Sequence, residues 1–148
     1  MRILVALALL LGSTSALADV YLLSRTKLDG TDYTQAVFLS HPQMTTLAAC
    51  EAERKAARTT GFKLFARVYF VTRKGLSVQD QFYCVDTTQK IATFQGRGFA
   101  EHTYLINLKG NAMSLEPHPS FGACMARAGE GNQSSPNRFC AKSTQALQ

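Results

Sequence analysis

The chain has 148 residues, with 16 Lys and Arg against 10 Asp and Glu, a formal net charge of +6 and 46% hydrophobic residues. That length suits a single domain around one core and argues against a multi-domain chain. The basic residues are scattered without a run of five, so the positive balance speaks for solubility as much as for an anionic partner.

The N-terminus reads as a leader. Arg2 supplies a minimal basic region, Ile3 to Leu11 is an unbroken apolar run, Gly12-Ser13-Thr14-Ser15 interrupts it, and Ala16-Leu17-Ala18 is a small-x-small cleavage motif. Nine apolar residues fall short of the roughly 20 that span a bilayer. The expected product is therefore cut between Ala18 and Asp19, leaving residues 19–148 as a single α+β domain without a membrane span, secreted or periplasmic. No cysteine follows the cleavage motif, which argues against a lipid anchor. Asn132-Gln133-Ser134 is a formal glycosylation acceptor that has meaning only in a eukaryotic secretory route.

Taken in chain order, a strand over Asp19 to Thr26 leads through the turn signal Asp29-Gly30-Thr31-Asp32 to a strand over Thr34 to Leu39. His41-Pro42 marks a break, and Met44 to Arg58, rich in good helix formers, predicts a helix stopped by Gly61. Phe62 to Asp86 predicts a β-hairpin. A three-residue loop, Arg73-Lys74-Gly75, pairs Phe70 with Val78 and Ala66 with Phe82, puts glycine where a left-handed residue is needed, and turns Cys84 toward the face where a helix would lie. A short strand is expected over Ile91-Ala92-Thr93-Phe94. The Gly96-Arg97-Gly98 that follows lacks the remaining residues of a phosphate loop and reads as a flexible connection. Thr103 to Lys109 predicts another strand, Ser120 caps a helix over Phe121 to Ala128 that Gly129 ends, and Gly129 to Asn137 is loop. A strand around Arg138 to Lys142 closes the chain, with Ser143 to Gln148 expected to fray.

The second part restates the first. Tyr104-Leu105-Ile106 parallels Tyr21-Leu22-Leu23, Pro117-His118-Pro119 parallels Ser40-His41-Pro42, and Ala123-Cys124-Met125-Ala126 parallels Ala49-Cys50-Glu51-Ala52. Each pseudo-repeat, about 19–87 and about 103–142, is strand-helix-strand with one cysteine on the helix and one on the later strand. Of the three ways to pair four cysteines, this repeat selects Cys50 with Cys84 and Cys124 with Cys140. The simplest architecture is a two-layer α/β sandwich, ferredoxin-like or similar, with a mostly antiparallel sheet and both helices on one face.

Such a sandwich leaves one sheet face uncovered. On the hairpin that face carries Arg67, Tyr69, Val71 and Arg73 beside Gln79, Gln81, Tyr83 and Val85, and tyrosine and arginine are enriched at binding hot spots. Arg67, Tyr69, Arg73, Gln81 and Tyr83 form the candidate binding surface, although β-formers on a solvated face give the same pattern. Chemistry is thinly represented. His41, His102 and His118 are scattered, no Cys-x-x-Cys pair suggests zinc, and nothing resembles a nucleophile-base set, so neither a metal nor a cofactor is expected. Glu51, Glu53, Arg54, Lys55 and Arg58 read as solvated ion pairs on a helix. The leading expectation is a non-catalytic protein-interaction module of inhibitor, accessory or toxin-neutralising type. It would bind another exported or envelope protein through the open face or an edge strand. The alternatives are a binder of an anionic envelope polymer or nucleic acid, and a small hydrolase using His41 or His118.

Overall fold

The computed structural model describes residues 17–65, 77–96, 98–129 and 135–148. Its elements are β1 (Asp19–Leu28), β2 (Thr34–Leu39), α1 (Leu47–Thr59), β3 (Val78–Thr87), β4 (His102–Lys109), β5 (Ala112–His118), α2 (Phe121–Ala128) and β6 (Arg138–Ser143). The strands close into one barrel in the order β1-β2-β6-β4-β5-β3. The expected two-layer sandwich is therefore wrong. A closed sheet has an inside and an outside in place of two layers.

The physical reason lies in β1 and β4. A sheet covered on one side only alternates apolar and polar residues, whereas Tyr21-Leu22-Leu23 and Tyr104-Leu105-Ile106 are continuous apolar runs, as strands buried on both faces are. Tyr21, Leu23, Tyr104 and Ile106 point inward and join Phe38, Val85, Met113, Leu115 and Phe139 in the barrel core. Their neighbours Leu22 and Leu105 point outward and are fully buried under the helices, Leu22 with Met44, Cys50 and Cys84, Leu105 with Cys124 and Cys140. Each leucine covered in this way contributes about 1.5–3 kcal/mol.

The helices are capped by hydroxyls, with Thr46 accepting from the Ala49 amide and Ser120 from the Ala123 amide. Pro42 and Pro119 precede these caps and do not stand in the first turns. Disulfides tie each helix to its own later strand, Cys50 to Cys84 and Cys124 to Cys140. The helical acids are not all solvated. Glu53 is buried and accepts from the Leu64 amide at 2.7 Å, holding the chain after α1 against the helix, while Glu51 pairs with Arg54.

The duplication is deeper than strand-helix-strand, because β5, which has no continuous apolar run to announce it, makes each unit strand-strand-helix-strand. β1 pairs antiparallel with β2 and β3, as β4 does with β5 and β6, and the seams β2·β6 and β3·β5 are both parallel. Exchanging the two units maps the strand order onto itself. The registers agree: Leu22↔Cys84 matches Leu105↔Cys140, and the seam pair Gln35↔Lys142 matches Ala112↔Asp86.

Two glutamines reinforce those seams. Gln89 accepts from the Leu115 amide at 2.6 Å and donates to the Leu115 carbonyl at 2.9 Å; Gln145 does the same to Phe38, at 2.7 Å and 2.9 Å. Both stand two residues beyond their strands, with Thr87 and Ser143 accepting from the glutamine amides. The tail is consequently ordered, contrary to the fraying expected: Leu147 bridges Ile91, and Gln145 is buried. Of the strand expected over Ile91 to Phe94, only the Ile91 bridge forms.

Tyr21 and Tyr104 are the symmetry-related inward tyrosines, and burial pushes both phenols above the usual tyrosine value of 10.0. Tyr104 donates to the Gln145 carbonyl at 2.9 Å and accepts from the Leu147 amide at 3.1 Å. A group whose folded pKa is raised stabilises fully below its unfolded pKa and loses that contribution as pH rises. Urea midpoints measured across the alkaline range will fall from about pH 10 upward, and Tyr104→Phe will flatten part of that fall while lowering stability at neutral pH. A wild-type midpoint that stays level through pH 11 contradicts this. No helix among the described residues is long and apolar enough to cross a membrane.

Candidate functional site

The two units match closely enough that their departures stand out, and one departure opens a groove. In the second unit the β4–β5 ladder runs from Lys109↔Ala112 up to Tyr104↔Pro117 and Thr103↔His118. The first unit's ladder starts equivalently but ends at Leu22↔Leu39. The positions equivalent to Tyr104, Thr103, Pro117 and His118 are Tyr21, Val20, Ser40 and His41, and these do not pair.

The cause is a longer connection. Ser120 caps α2 two residues after His118, whereas Thr46 caps α1 five residues after His41. The additional residues make a turn, with the Met44 amide donating to the His41 carbonyl at 2.8 Å and the Gln43 amide to His41 Nδ1 at 3.2 Å. That turn sends Met44 into the apolar cluster under α1 with Phe65 and Leu22, where it is 2% exposed. Burial of Met44 thus pulls the end of β2 away from β1.

A cavity of about 710 Å³ occupies the gap. Asp19, Val20 and Tyr21 form one wall, where β1 keeps only β3 as a neighbour among the described strands, and Ser40, His41 and Pro42 form the other, with Met44, Thr45 and Thr93 closing the ends. Leu17 and Ala18, the residues before the expected cleavage point, lie along it. At the rim Lys90 contacts Asp19 at 2.6 Å, a hydrogen bond that raises the lysine pKa and keeps it charged. His41 sets its ring edge-on to Phe65, 6.1 Å between centroids. Two strand edges and a few apolar side chains are what an extended peptide needs: main-chain partners for affinity and pockets for alternate side chains.

The histidines considered for catalysis occupy symmetry-equivalent positions with different partners. His41 Nδ1 is taken by the Gln43 amide, while His118 Nε2 lies 3.3 Å from Glu116, whose carboxylate also meets Arg127 at 3.4 Å. Among the described residues no group of three His, Cys, Asp or Glu is placed to hold a metal ion, and no cysteine is free.

The residues proposed as a binding face are placed otherwise than a sandwich implied. Arg67, Tyr69 and Arg73 lie outside the described residues, as do the hairpin loop, Arg97, most of the leader and the glycosylation motif. Of the expected hairpin partner of β3, Phe62 to Phe65 carry no strand and the rest lies outside the described residues, while β3 runs beside β1 along its whole length. Gln81 and Tyr83 stand on the inner face of β3, opposite Arg25 and Leu23, and Tyr83 donates to Gln81 Oε1 at 2.8 Å. Tyr83 packs against the barrel core.

The groove was missed because it depends on a difference between the repeats, not on a motif. Its signal was available in the spacing from each His-Pro to the hydroxyl that caps the next helix. Comparison with protein-family models, curated proteins and solved structures finds no match to the chain.

Proposed function

We propose that this chain is an exported, disulfide-stapled, non-catalytic interaction module that takes an extended segment of another exported or envelope protein between Val20–Tyr21 and Ser40–His41. The observation that carries the reading is the ladder that ends two pairs early. A β-strand fills the equivalent space in the second unit, so the space has the shape of a strand. Export is supported by the leader motif and agrees with two disulfides, which persist in oxidising compartments. The edge-strand form of the interaction reading is favoured over the open-face form, since Gln81 and Tyr83 of the expected face stand on the inner side of β3.

The test is selection from a library of random extended peptides, followed by amide hydrogen exchange. Selected peptides are expected to slow exchange at Val20, Tyr21, Ser40 and His41. Thr45→Trp, a substitution at an exposed groove residue, should weaken them by at least about tenfold, or 1.4 kcal/mol. Protection elsewhere on the barrel, or unchanged binding by Thr45→Trp, removes the proposal.

A further inference from the structure

The groove has a direction and a register, and the ladders beside it define both. Along an antiparallel strand, successive residues turn their backbone groups to opposite neighbours. On β3 the Asp86 amide donates to the Asn111 carbonyl at 2.9 Å, and the Cys84 carbonyl accepts from the Asn111 side chain at 3.0 Å. Cys84 and Asp86 therefore face β5, and Val85 faces its β1 partner Tyr21. Tyr21 is thus bonded to β3, while Val20 and Leu22 turn the other way. At Leu22 the strand met there is β2, through Leu39; at Val20 it is the groove. The far end of β1 keeps the same alternation, with the Leu28 amide donating to the Tyr33 carbonyl at 3.0 Å.

The second unit holds a strand where the first holds the groove. Thr103, in the place of Val20, faces His118, and Tyr104, in the place of Tyr21, stands opposite Pro117. β5 runs antiparallel to β4, so a segment that repeats this arrangement in the groove runs in the direction of β2 and brings its N-terminal side to the closed end. At that end Leu39 still pairs with Leu22, and the ladder has no position for a residue before the one opposite Tyr21. Pro117, which stands at that position in the second unit, is exposed and has no N–H to place. A chain that begins there keeps its ammonium in water and leaves no backbone donor buried.

Parity decides the next side chain. The residue opposite Val20 points outward, as His118 does, whose side chain is only 11% exposed. In the second unit that place is polar, with His118 Nε2 3.3 Å from Glu116. In the first unit Val20, Leu22, Leu39 and Met44 share one apolar cluster there. An aliphatic side chain gains from that cover, whereas a polar one loses water without gaining a partner.

We infer that the groove captures the amino-terminal end of an extended chain whose second residue is aliphatic. Given that the groove takes a peptide, as proposed above, its occupant has a fixed direction and register. The second residue donates its N–H to the Val20 carbonyl and accepts from the Val20 amide, as a ladder pair does. Its side chain covers Met44, and the following residues leave the groove past Asp19 and Pro42.

Three synthetic peptides test this: Ala-Leu-Ser-Thr-Ser-Thr with a free amino terminus, the same peptide with serine for leucine, and the first peptide extended at its N-terminus by Gly-Ser-Gly-Ser. Each is titrated into the folded chain while backbone amide shifts are followed. The first should give saturable shifts at Val20, His41 and Met44, with nuclear Overhauser contacts from its leucine methyls to Val20 and Met44. Serine and the extension should each weaken binding by at least about tenfold. Groove binding by the serine or the extended peptide as tight as by the first, or by peptides from the random library alone, overturns the inference and leaves the groove reading standing. If no peptide of either set shifts these amides, the groove is not a peptide site and both readings fall. Every change is made in the peptide, so misfolding of the chain does not stand in for a loss of binding.

Discussion

Replacing Cys50 and Cys84 together by alanine will cost more stability than any other pair of substitutions at the surface of the barrel. The link spans 34 residues of sequence, for which loop-closure entropy in the unfolded chain corresponds to about 3.8 kcal/mol. The Cys124–Cys140 link spans 16, for which the same argument gives about 3.1 kcal/mol. Against a total stability of about 5–15 kcal/mol for a domain, either is a large fraction. The first has a further consequence because of what it encloses. The loop between Cys50 and Cys84 contains most of α1 and the connection that returns to β3, and α1 meets the barrel through β1 and β3. With the link removed, amides of α1 should exchange faster while those of β4, β5 and β6 keep their protection relative to one another. Urea unfolding of the two double-alanine variants checks the order. A loss below about 1 kcal/mol for Cys50/Cys84 would mean that the unfolded chain is already compact there, and the entropic account would fail.

The cysteines were legible in sequence because each unit places them at matching points, one on a helix and one on a strand. The architecture was not, although its evidence was present. Tyr21-Leu22-Leu23 and Tyr104-Leu105-Ile106 call for cover on both faces, and a two-layer sandwich supplies it on one. β5 escaped because Pro117 lies within it and Glu116 and Ser114 interrupt it, yet Met113 and Leu115 keep the inward period of two. The tail escaped for a different reason. Polar residues at a terminus suggest fraying, and nothing local distinguishes Gln145 from a solvated glutamine. The repeat did distinguish it: Thr87-Thr88-Gln89-Lys90-Ile91 and Ser143-Thr144-Gln145-Ala146-Leu147 each begin three residues after a cysteine. Of the residues lining the mouth between β1 and β3, Gln81 was singled out for its strand face, whereas Arg25 was read only as part of a strand and Lys27 lay past that strand's expected end at Thr26. Their shared inward parity with Gln81 and Gln79 needs the β1–β3 register, which joins residues more than fifty positions apart.

Gln145→Ala is the single substitution expected to do most damage. Its amide accepts from the Phe38 amide at 2.7 Å and donates to the carbonyls of Phe38 at 2.9 Å and Ala92 at 2.8 Å. It stands where β2 and β6 share a single ladder pair, Gln35↔Lys142, so the side chain extends a seam that the backbone leaves short. Removing it strands three main-chain groups, two of them on Phe38, which is 1% exposed, and leaves a void beside that ring. Unsatisfied buried groups cost about 1–3 kcal/mol each and neighbouring losses do not add fully, so about 3–5 kcal/mol is expected. Gln145→Glu tests the chemistry at nearly constant volume. A carboxylate can accept from the Phe38 amide but cannot donate to two carbonyls, so it should cost nearly as much as alanine. The symmetry partner provides the comparison: Gln89→Ala breaks the corresponding clamp on Leu115, but Gln89 is only half-buried, so water can replace it and about 1–2 kcal/mol is expected. Thermal and urea unfolding of the three variants reads these differences directly. If Gln145→Glu retains wild-type stability, the donor half of the clamp contributes nothing, and the barrel's closure at β2 and β6 must rest on the packing of Phe38 and Phe139 alone.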